Sequence, residues 1–252
     1  MNREAGKPKS RTGAWRTLWV MAGAQFVDMA EGNALGNAFP SIQVSLDLHV
    51  GHLGTINGIK HFVGILFGPL WSMAADRYSR KKVLVWGTGV WGMWTILLGF
   101  AANYQQLLAL SILSGIGLVA LGGPRESLIS DLFPREERGR AFGILELVTF
   151  LGLLVAVLVF VPLLGIPDLG WRIIFWVFGG MSVLSGVLMW VFVKEPVRGQ
   201  SEEALADVID QVGQESEERY RFELHKLSTL FHIPTVLLMW LTSVPRTFTM
   251  VM

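Results

Sequence analysis

Residues 68–84 of the chain read GPLWSMAADRYSRKKVL, and this stretch decides how the rest of the sequence is interpreted. It places a dense cluster of charges in a tight turn between two apolar runs, each long enough to cross a lipid bilayer. A charged turn between two such runs is typical of a multi-pass membrane protein. The stretch therefore predicts that the chain crosses a membrane more than once.

The composition agrees with a membrane protein. Hydrophobic residues make up 52% of the 252 residues, charged residues only 16%, and the mean hydropathy is +0.47, whereas a soluble domain carries about 25% charged residues. The absence of cysteine excludes disulfides, thiolate catalysis and cysteine-based zinc sites. A net charge of +1 gives no indication of a nucleic-acid partner, and we expect none.

Apolar runs predict six membrane spans, and hence an all-α membrane protein built as a six-helix transmembrane bundle. The predicted spans are residues 15–39, 51–75, 83–101, 105–125, 141–164 and 172–193. A tail (1–14) precedes the bundle (15–193), and a polar linker (194–229) follows it. A seventh span is predicted at 230–252, where two prolines and an arginine interrupt the apolar run.

The distribution of basic residues predicts the orientation of the chain. With a cytoplasmic N-terminus, eighteen of the 21 lysines and arginines fall on the cytoplasmic side, and this number includes Arg125 in the loop after the fourth span. Short cytoplasmic loops carry an excess of Lys and Arg. We therefore expect a multi-pass protein of the cell (inner) membrane, in contact with the lipid bilayer, with a cytoplasmic N-terminus and cytoplasmic linker.

Several motifs follow one another in a characteristic order. The loop between the second and third spans carries Asp76, Arg77, Arg80 and Lys81, with Ser72 and Ser79 at positions where the usual pattern has glycine. Further matches are Asp131 to Pro134, Arg138 to Ala141, Trp171-Arg172 with Phe175, and Lys194 to Pro196. In these motifs and their order, residues 15 to 200 resemble the major facilitator superfamily.

The resemblance implies a fold of major facilitator type and secondary active transport of a small organic solute by alternating access. Proteins of this family have two six-helix halves with the substrate between them, so the chain resembles an N-terminal half with its linker and the start of a second half. A second half-transporter or another copy of the chain would complete the pathway. A membrane protein that does not transport, and acts as an assembly or regulatory partner, remains the alternative.

The resemblance also assigns a gating role to the loop. It implies that Asp76, Arg77, Arg80 and Lys81 hold one end of the pathway closed, with Asp131 as an acidic partner. Ser111 stands where many relatives have an arginine linked to proton coupling, and the glycine-rich antiporter motif of the fifth span is missing. These two departures make drug/proton antiport a less favoured activity.

The sequence lacks the short motifs of the enzymes that would be plausible in a membrane. It contains no phosphate-binding Gly-x4-Gly-Lys-Ser/Thr run, no His-Glu-x-x-His and no Gly-x-Ser-x-Gly. We therefore predict a protein that is not an enzyme and that requires no cofactor or metal.

Ionisable residues inside the apolar spans are the candidate substrate or coupling site. They are Asp28, Glu31, Lys60 and His61, which lie about 12–16 Å from the outer helix ends at 1.5 Å per residue. A fifth ionisable residue, Glu146, lies near the inner end of its span, and we expect it to snorkel to the interface. If the first two helices are antiparallel neighbours, Glu31 can pair with Lys60 and Asp28 can lie near His61. Two interpretations stay open: a site that binds a proton or a polar substrate group, or a structural ion pair between the helices.

Overall fold

A computed structural model describes residues 11–196, and this part of the chain is entirely helical between its turns. The helices are α1 (Arg11–Leu46), α2 (Val50–Arg77), α3 (Arg80–Leu84), a π-helical turn (Val85–Val90), α4 (Gly92–Leu98), α5 (Tyr104–Leu118), α6 (Gly122–Leu132), α7 (Arg135–Leu164) and α8 (Gly170–Phe192). The all-α prediction is confirmed for these residues. The predicted seventh span (230–252) and most of the predicted linker lie outside them.

Helical segments stand where the sequence predicts the six spans. Three of them, Tyr104–Leu132, Arg135–Leu164 and Gly170–Phe192, are long and apolar enough by composition to cross a membrane. Helices α1 and α2 are long as well, but their polar residues lower their mean hydropathy, and the third segment is interrupted by the π-helical turn. The fourth segment continues to Leu132, seven residues beyond its predicted end.

The third segment (80–98) begins at a helix cap and is broken near its middle. The hydroxyl of Ser79 accepts a hydrogen bond from the backbone N–H of Lys82 at 3.2 Å, which satisfies one of the free donors at the start of α3. The π-helical turn then changes the backbone hydrogen-bond pattern. The carbonyl oxygen of Thr88, in this turn, accepts a hydrogen bond from the hydroxyl of Ser182 on α8 at 3.1 Å.

Two glycines allow the third segment and α8 to cross with their backbones in contact. A Cβ atom placed on Gly89 would lie 2.8 Å from the Cα of Gly186, a separation that real Cβ atoms do not reach. The glycine crossing, formed by Gly89 and Gly186, therefore leaves no space for a side chain at either position. Close approach of this kind is a common way for membrane helices to associate.

The apolar core is divided into two clusters with a polar layer between them. One cluster joins Ala30 to Ile42 of α1 with Trp171 to Phe178 of α8, and the other joins Leu18 to Ala24 of α1 with Met189 of α8. The buried polar layer consists of Asp28, Glu31, Thr88, Thr95, Ser111, Ser114, Ser182 and Ser185. Of these side chains, Asp28 on α1 and Ser182 and Ser185 on α8 lie between the residues of the two clusters in the sequence.

The packing of α1 differs from the sequence-based expectation. We expected α1 and α2 to be direct neighbours because a short loop joins them, but α1 packs mainly on α7 and α8, and α2 packs mainly on α5. The indole N–H of Trp71 on α2 donates a hydrogen bond to the carbonyl of Ile116 on α5 at 2.8 Å. A short connection limits the distance between helix ends but does not force the helices together along their length.

A substitution pair tests the glycine crossing. We expect Gly186→Val to destabilise the bundle by about 1–3 kcal/mol, because the new side chain overlaps the backbone of Gly89. Gly180→Val is the matched control, since a Cβ there meets nothing within 4 Å. Thermal unfolding of the purified chain in detergent measures both, and equal melting temperatures for the two variants would contradict the crossing.

Candidate functional site

Two carboxylates on α1 form the centre of the candidate site. Asp28 and Glu31 are three residues apart, share a helix face and are only 8% and 7% exposed. The hydroxyl of Thr95 donates a hydrogen bond to Oε1 of Glu31. Oδ2 of Asp28 and Oε2 of Glu31 are buried as well, and the hydroxyls of Thr88 and Ser182 interact with the carboxylates of Asp28 and Glu31, respectively.

Lys60 approaches Glu31 from α2. The two residues interact electrostatically and line the same small cavity, which Ser111 and Ser114 of α5 also border. Among the described ion pairs there is none between Lys60 and Glu31, so their charges face each other across this cavity without direct contact. The stem of Lys60 crosses α5 at Gly115, where an added Cβ would lie 2.5 Å from the lysine Cγ.

Arg125 supplies a second cation to the site, which the sequence analysis did not anticipate. It was counted in the loop after the fourth span, but it lies within α6, because this helix continues to Leu132. Its guanidinium donates a hydrogen bond to Oε1 of Gln25 on α1 and lies within electrostatic range of Asp28. The cluster therefore contains two buried carboxylates and two partly buried cations, and Arg125 also forms an ion pair with the exposed Glu126 at 3.8 Å.

A wide groove opens beside this cluster, between α1, α2 and α5. Its volume is about 510 Å³, and Lys60 lines both the groove and the small cavity next to Glu31. Asn57 and His61 add polar groups to the groove, and its other lining residues are apolar or glycine. Lys60 thus lines the groove and interacts electrostatically with the buried Glu31.

The structure does not bring Asp28 and His61 together. The charged neighbours of Asp28 are Glu31 and Arg125, whereas His61 is exposed on the groove. Glu146, near one end of the fifth segment, is also exposed. Within residues 11–196, no group of three or more His, Asp and Glu side chains is arranged to hold a metal ion.

The charged loop forms a second, separate cluster at the end of the bundle where α2 meets α3. The guanidinium of Arg80 binds the carboxylate of Asp131 at the end of α6. Glu195, which follows α8, accepts hydrogen bonds from the backbone N–H of Arg80 at 2.7 Å and from the hydroxyl of Ser79. The loop is thereby joined to the ends of both the fourth and the sixth segments.

The other predicted loop residues are placed at the surface of this cluster. Asp76 and Arg77 are exposed at the end of α2, and the Arg77 guanidinium lies over the ring of Tyr78. Lys81 is partly buried, and its ammonium nitrogen lies 5.4 Å from the centre of the Trp190 ring on α8.

Sequence reasoning missed three residues that complete the two clusters. Arg125 stood at the boundary of a predicted span, where the helix end was placed too early. Thr95 resembles an ordinary apolar-span residue, because a single hydroxyl barely changes the hydropathy of its segment. Glu195 was part of a recognised motif, but no sequence signal indicated that it binds the loop more than a hundred residues earlier.

Comparisons with known proteins identify the family of the chain. The sequence profile of the Major Facilitator Superfamily matches residues 21–252. The chain is 30% identical over 198 residues to the cis,cis-muconate transport protein of Acinetobacter baylyi, covering 76% of the chain and 46% of that protein. It is 28% identical over 185 residues to the 4-hydroxybenzoate transporter of Pseudomonas putida, covering 73% of the chain and 41% of that protein.

A solved structure has the same fold. The crystal structure of a bacterial homologue of the human lysosomal transporter spinster superposes with a TM-score of 0.63 at 24% sequence identity, covering 78% of the chain and 47% of that protein. The chain spans about half the length of the curated relatives it matches.

A double-mutant cycle tests the contact between Arg80 and Asp131. We expect Arg80→Gln to destabilise the bundle by about 1–3 kcal/mol, because it removes a charged donor from a largely buried carboxylate. Combining it with Asp131→Asn should cost less than the sum of the single changes. Lys82→Gln, at an exposed neighbouring lysine, is the control in thermal unfolding, and strictly additive effects would contradict the contact.

Proposed function

Because the chain belongs to the Major Facilitator Superfamily, we propose that it forms the N-terminal six-helix half of a secondary active transporter for small organic carboxylates. This membership confirms the resemblance drawn from the charged loop and its accompanying motifs. The single observation that carries the proposal is the position of Lys60, whose side chain borders both an open groove and the cavity beside the buried Glu31.

A carboxylate substrate fits the chemistry of the groove. An anion that enters the groove meets the ammonium group of Lys60, with Asn57 and His61 as further polar partners. The apolar and glycine-lined walls suit a flat hydrocarbon body, and a few polar groups among apolar walls are typical of small-molecule sites. The relatives named for cis,cis-muconate and 4-hydroxybenzoate support this substrate class, because both of these compounds are carboxylates.

Charge balance suggests how transport is coupled to protons. The two carboxylates and two cations of the buried cluster are neutral together, so the negative charge of a substrate at Lys60 competes with Glu31 for the lysine. A proton on Glu31 or Asp28 removes this competition and restores neutrality at low dielectric. Substrate and proton then enter the cluster together, which is the requirement for symport.

The proposal also includes a gate, formed by the charged loop, and a second bundle that faces this one across the pathway. Arg80, with its partners Asp131 and Glu195, holds the loop end of the bundle together, and Asp76 and Arg77 are exposed at the same end. Lys81, in the same loop, is part of the proposed gate. The facing bundle comes from a second half-transporter or from another copy of this chain, and rocking of one bundle against the other exposes the groove to each side of the membrane in turn.

The proposed location is the cell (inner) membrane, with the N-terminus and the charged loop in the cytoplasm. The loop at the α2–α3 connection carries Arg77, Arg80, Lys81 and Lys82 within six residues. Short loops with such an excess of basic residues stay on the cytoplasmic side.

Replacement of Lys60 tests the carboxylate site. We expect Lys60→Met to raise the KM for uptake of 4-hydroxybenzoate by about tenfold or more, because a charge-assisted hydrogen bond contributes about 1.5–3 kcal/mol. Lys60→Arg should retain a large part of the affinity. Uptake of the labelled compound into cells that express the protein measures this, with Lys82→Met as the control, and an unchanged KM for Lys60→Met would refute the assignment.

Neutral replacements of the two carboxylates test proton coupling. We expect Asp28→Asn and Glu31→Gln each to abolish substrate accumulation driven by a pH gradient while substrate exchange across the membrane continues, because an amide neither takes up nor releases a proton. Proteoliposomes containing the protein measure both processes, and Glu146→Gln at an exposed site is the control. Normal accumulation together with a lowered melting temperature would instead favour a structural ion pair.

A further inference from the structure

A second, narrower groove lies between the third segment and α8. It has a volume of about 240 Å³ and shares no lining residue with the groove beside Lys60. The glycine crossing forms its floor, and its walls are apolar side chains, among them Val85, Met93, Val187 and Trp190. We call it the α8 groove.

The α8 groove is open on its outer side. Met93 and Val187 are each 53% exposed, and Trp190 is 54% exposed. Exposed apolar side chains along a membrane-spanning segment face the bilayer rather than water, and tryptophan near the end of such a segment lies toward the interface. The groove therefore opens to the lipid.

One end of the α8 groove carries a cation. Lys81 lies one helical turn before Val85, and its ammonium nitrogen is 5.4 Å from the centre of the Trp190 ring. Within residues 11–196, Lys81 has no carboxylate at ion-pairing distance, in contrast to the neighbouring Arg80, which binds Asp131. Tryptophan beside a basic residue is typical of the membrane–water interface, where lipid headgroups lie.

We propose that the α8 groove binds an anionic phospholipid, with one acyl chain along the apolar walls and the phosphate at Lys81. The charge at Lys81 complements the headgroup, and a basic residue near the membrane surface attracts anionic lipid. Trp190 contributes to both parts, because its ring lines the groove and also contacts the ammonium group. The site requires only the described contacts and does not depend on the proposed transport activity.

The dimensions favour a lipid chain over a helix. The groove is narrow, with a volume of about 240 Å³, whereas a helix is about 10 Å across with its side chains. An extended peptide would bring backbone N–H and C=O groups against apolar walls, which is unfavourable in a membrane. A narrow hydrocarbon chain has neither disadvantage.

The site also adjoins the charged loop. Lys81 follows Arg80, which joins the loop to Asp131 and Glu195. A phosphate at Lys81 would occupy the membrane-facing side of the same turn.

Photolabelling tests the proposal. The chain is purified in nonionic detergent and exposed to phosphatidylglycerol that carries a diazirine on one acyl chain, and the labelled peptides are identified by mass spectrometry. We expect adducts on residues 85–93 and 183–190. Unlabelled phosphatidylglycerol should displace the probe, and phosphatidylcholine should displace it at least fivefold less effectively.

Matched variants separate the headgroup from the groove. Lys81→Gln should lower labelling about fivefold, the factor that one lysine near an anionic surface contributes, whereas Lys82→Gln should change it less than twofold. Val187→Trp, which fills the groove, should abolish the adducts, and Val191→Trp, one turn further along α8 and outside the groove, should retain them. The two pairs test different parts of the site, so failure of one variant to fold leaves the other decisive.

Four results would overturn the proposal. They are equal displacement by phosphatidylcholine, equal loss of labelling in the two lysine variants, full labelling of Val187→Trp, and cross-links between chains in place of lipid adducts. The last result would assign the α8 groove to a contact between copies of the chain.

Discussion

Two negative charges buried in the middle of a helical bundle constrain the rest of this structure. Asp28 and Glu31 lie on α1 between two apolar clusters, where an unbalanced charge costs several kcal/mol. Lys60 and Arg125 approach from α2 and α6 and balance them. The helices around α1 therefore have to supply cations or hydroxyls at this depth, and the buried serines and threonines of the polar layer lie in the same region.

The polar layer explains why the helices differ in character. Helices α1 and α2 carry charged side chains and border the wide groove, while α7 is apolar for most of its length and exposes large hydrophobic side chains. In a membrane protein, polar side chains turn inward or toward a water-filled space, and apolar side chains face lipid. The bundle thus has one polar side, suited to a solute, and one apolar side, suited to the bilayer.

Polar contacts also hold the bundle together at three levels. At the loop end, Arg80 joins the start of the third segment to Asp131 and Glu195. In the middle, hydrogen bonds from Thr95 to Glu31 and from Arg125 to Gln25 join α4 and α6 to α1. At the opposite end, the guanidinium of Arg172 on α8 donates hydrogen bonds at 2.9 Å to the carbonyls of Gly99 and Ala101. Polar contacts at all three levels favour movement of the bundle as one body.

The sequence by itself determined the all-helical, multi-pass character of the chain, because apolar runs are visible along the chain. It also determined the family, through local motifs, and the candidate charges Asp28 and Lys60, because a charge within an apolar run is visible in the sequence. Only the tertiary structure decided which of these groups meet. It placed Arg125 beside Asp28, separated Asp28 from His61, opened the groove between α1 and α2, and joined Glu195 to the charged loop. These outcomes depend on which helices pack together, and contacts between distant segments leave no local pattern in the sequence.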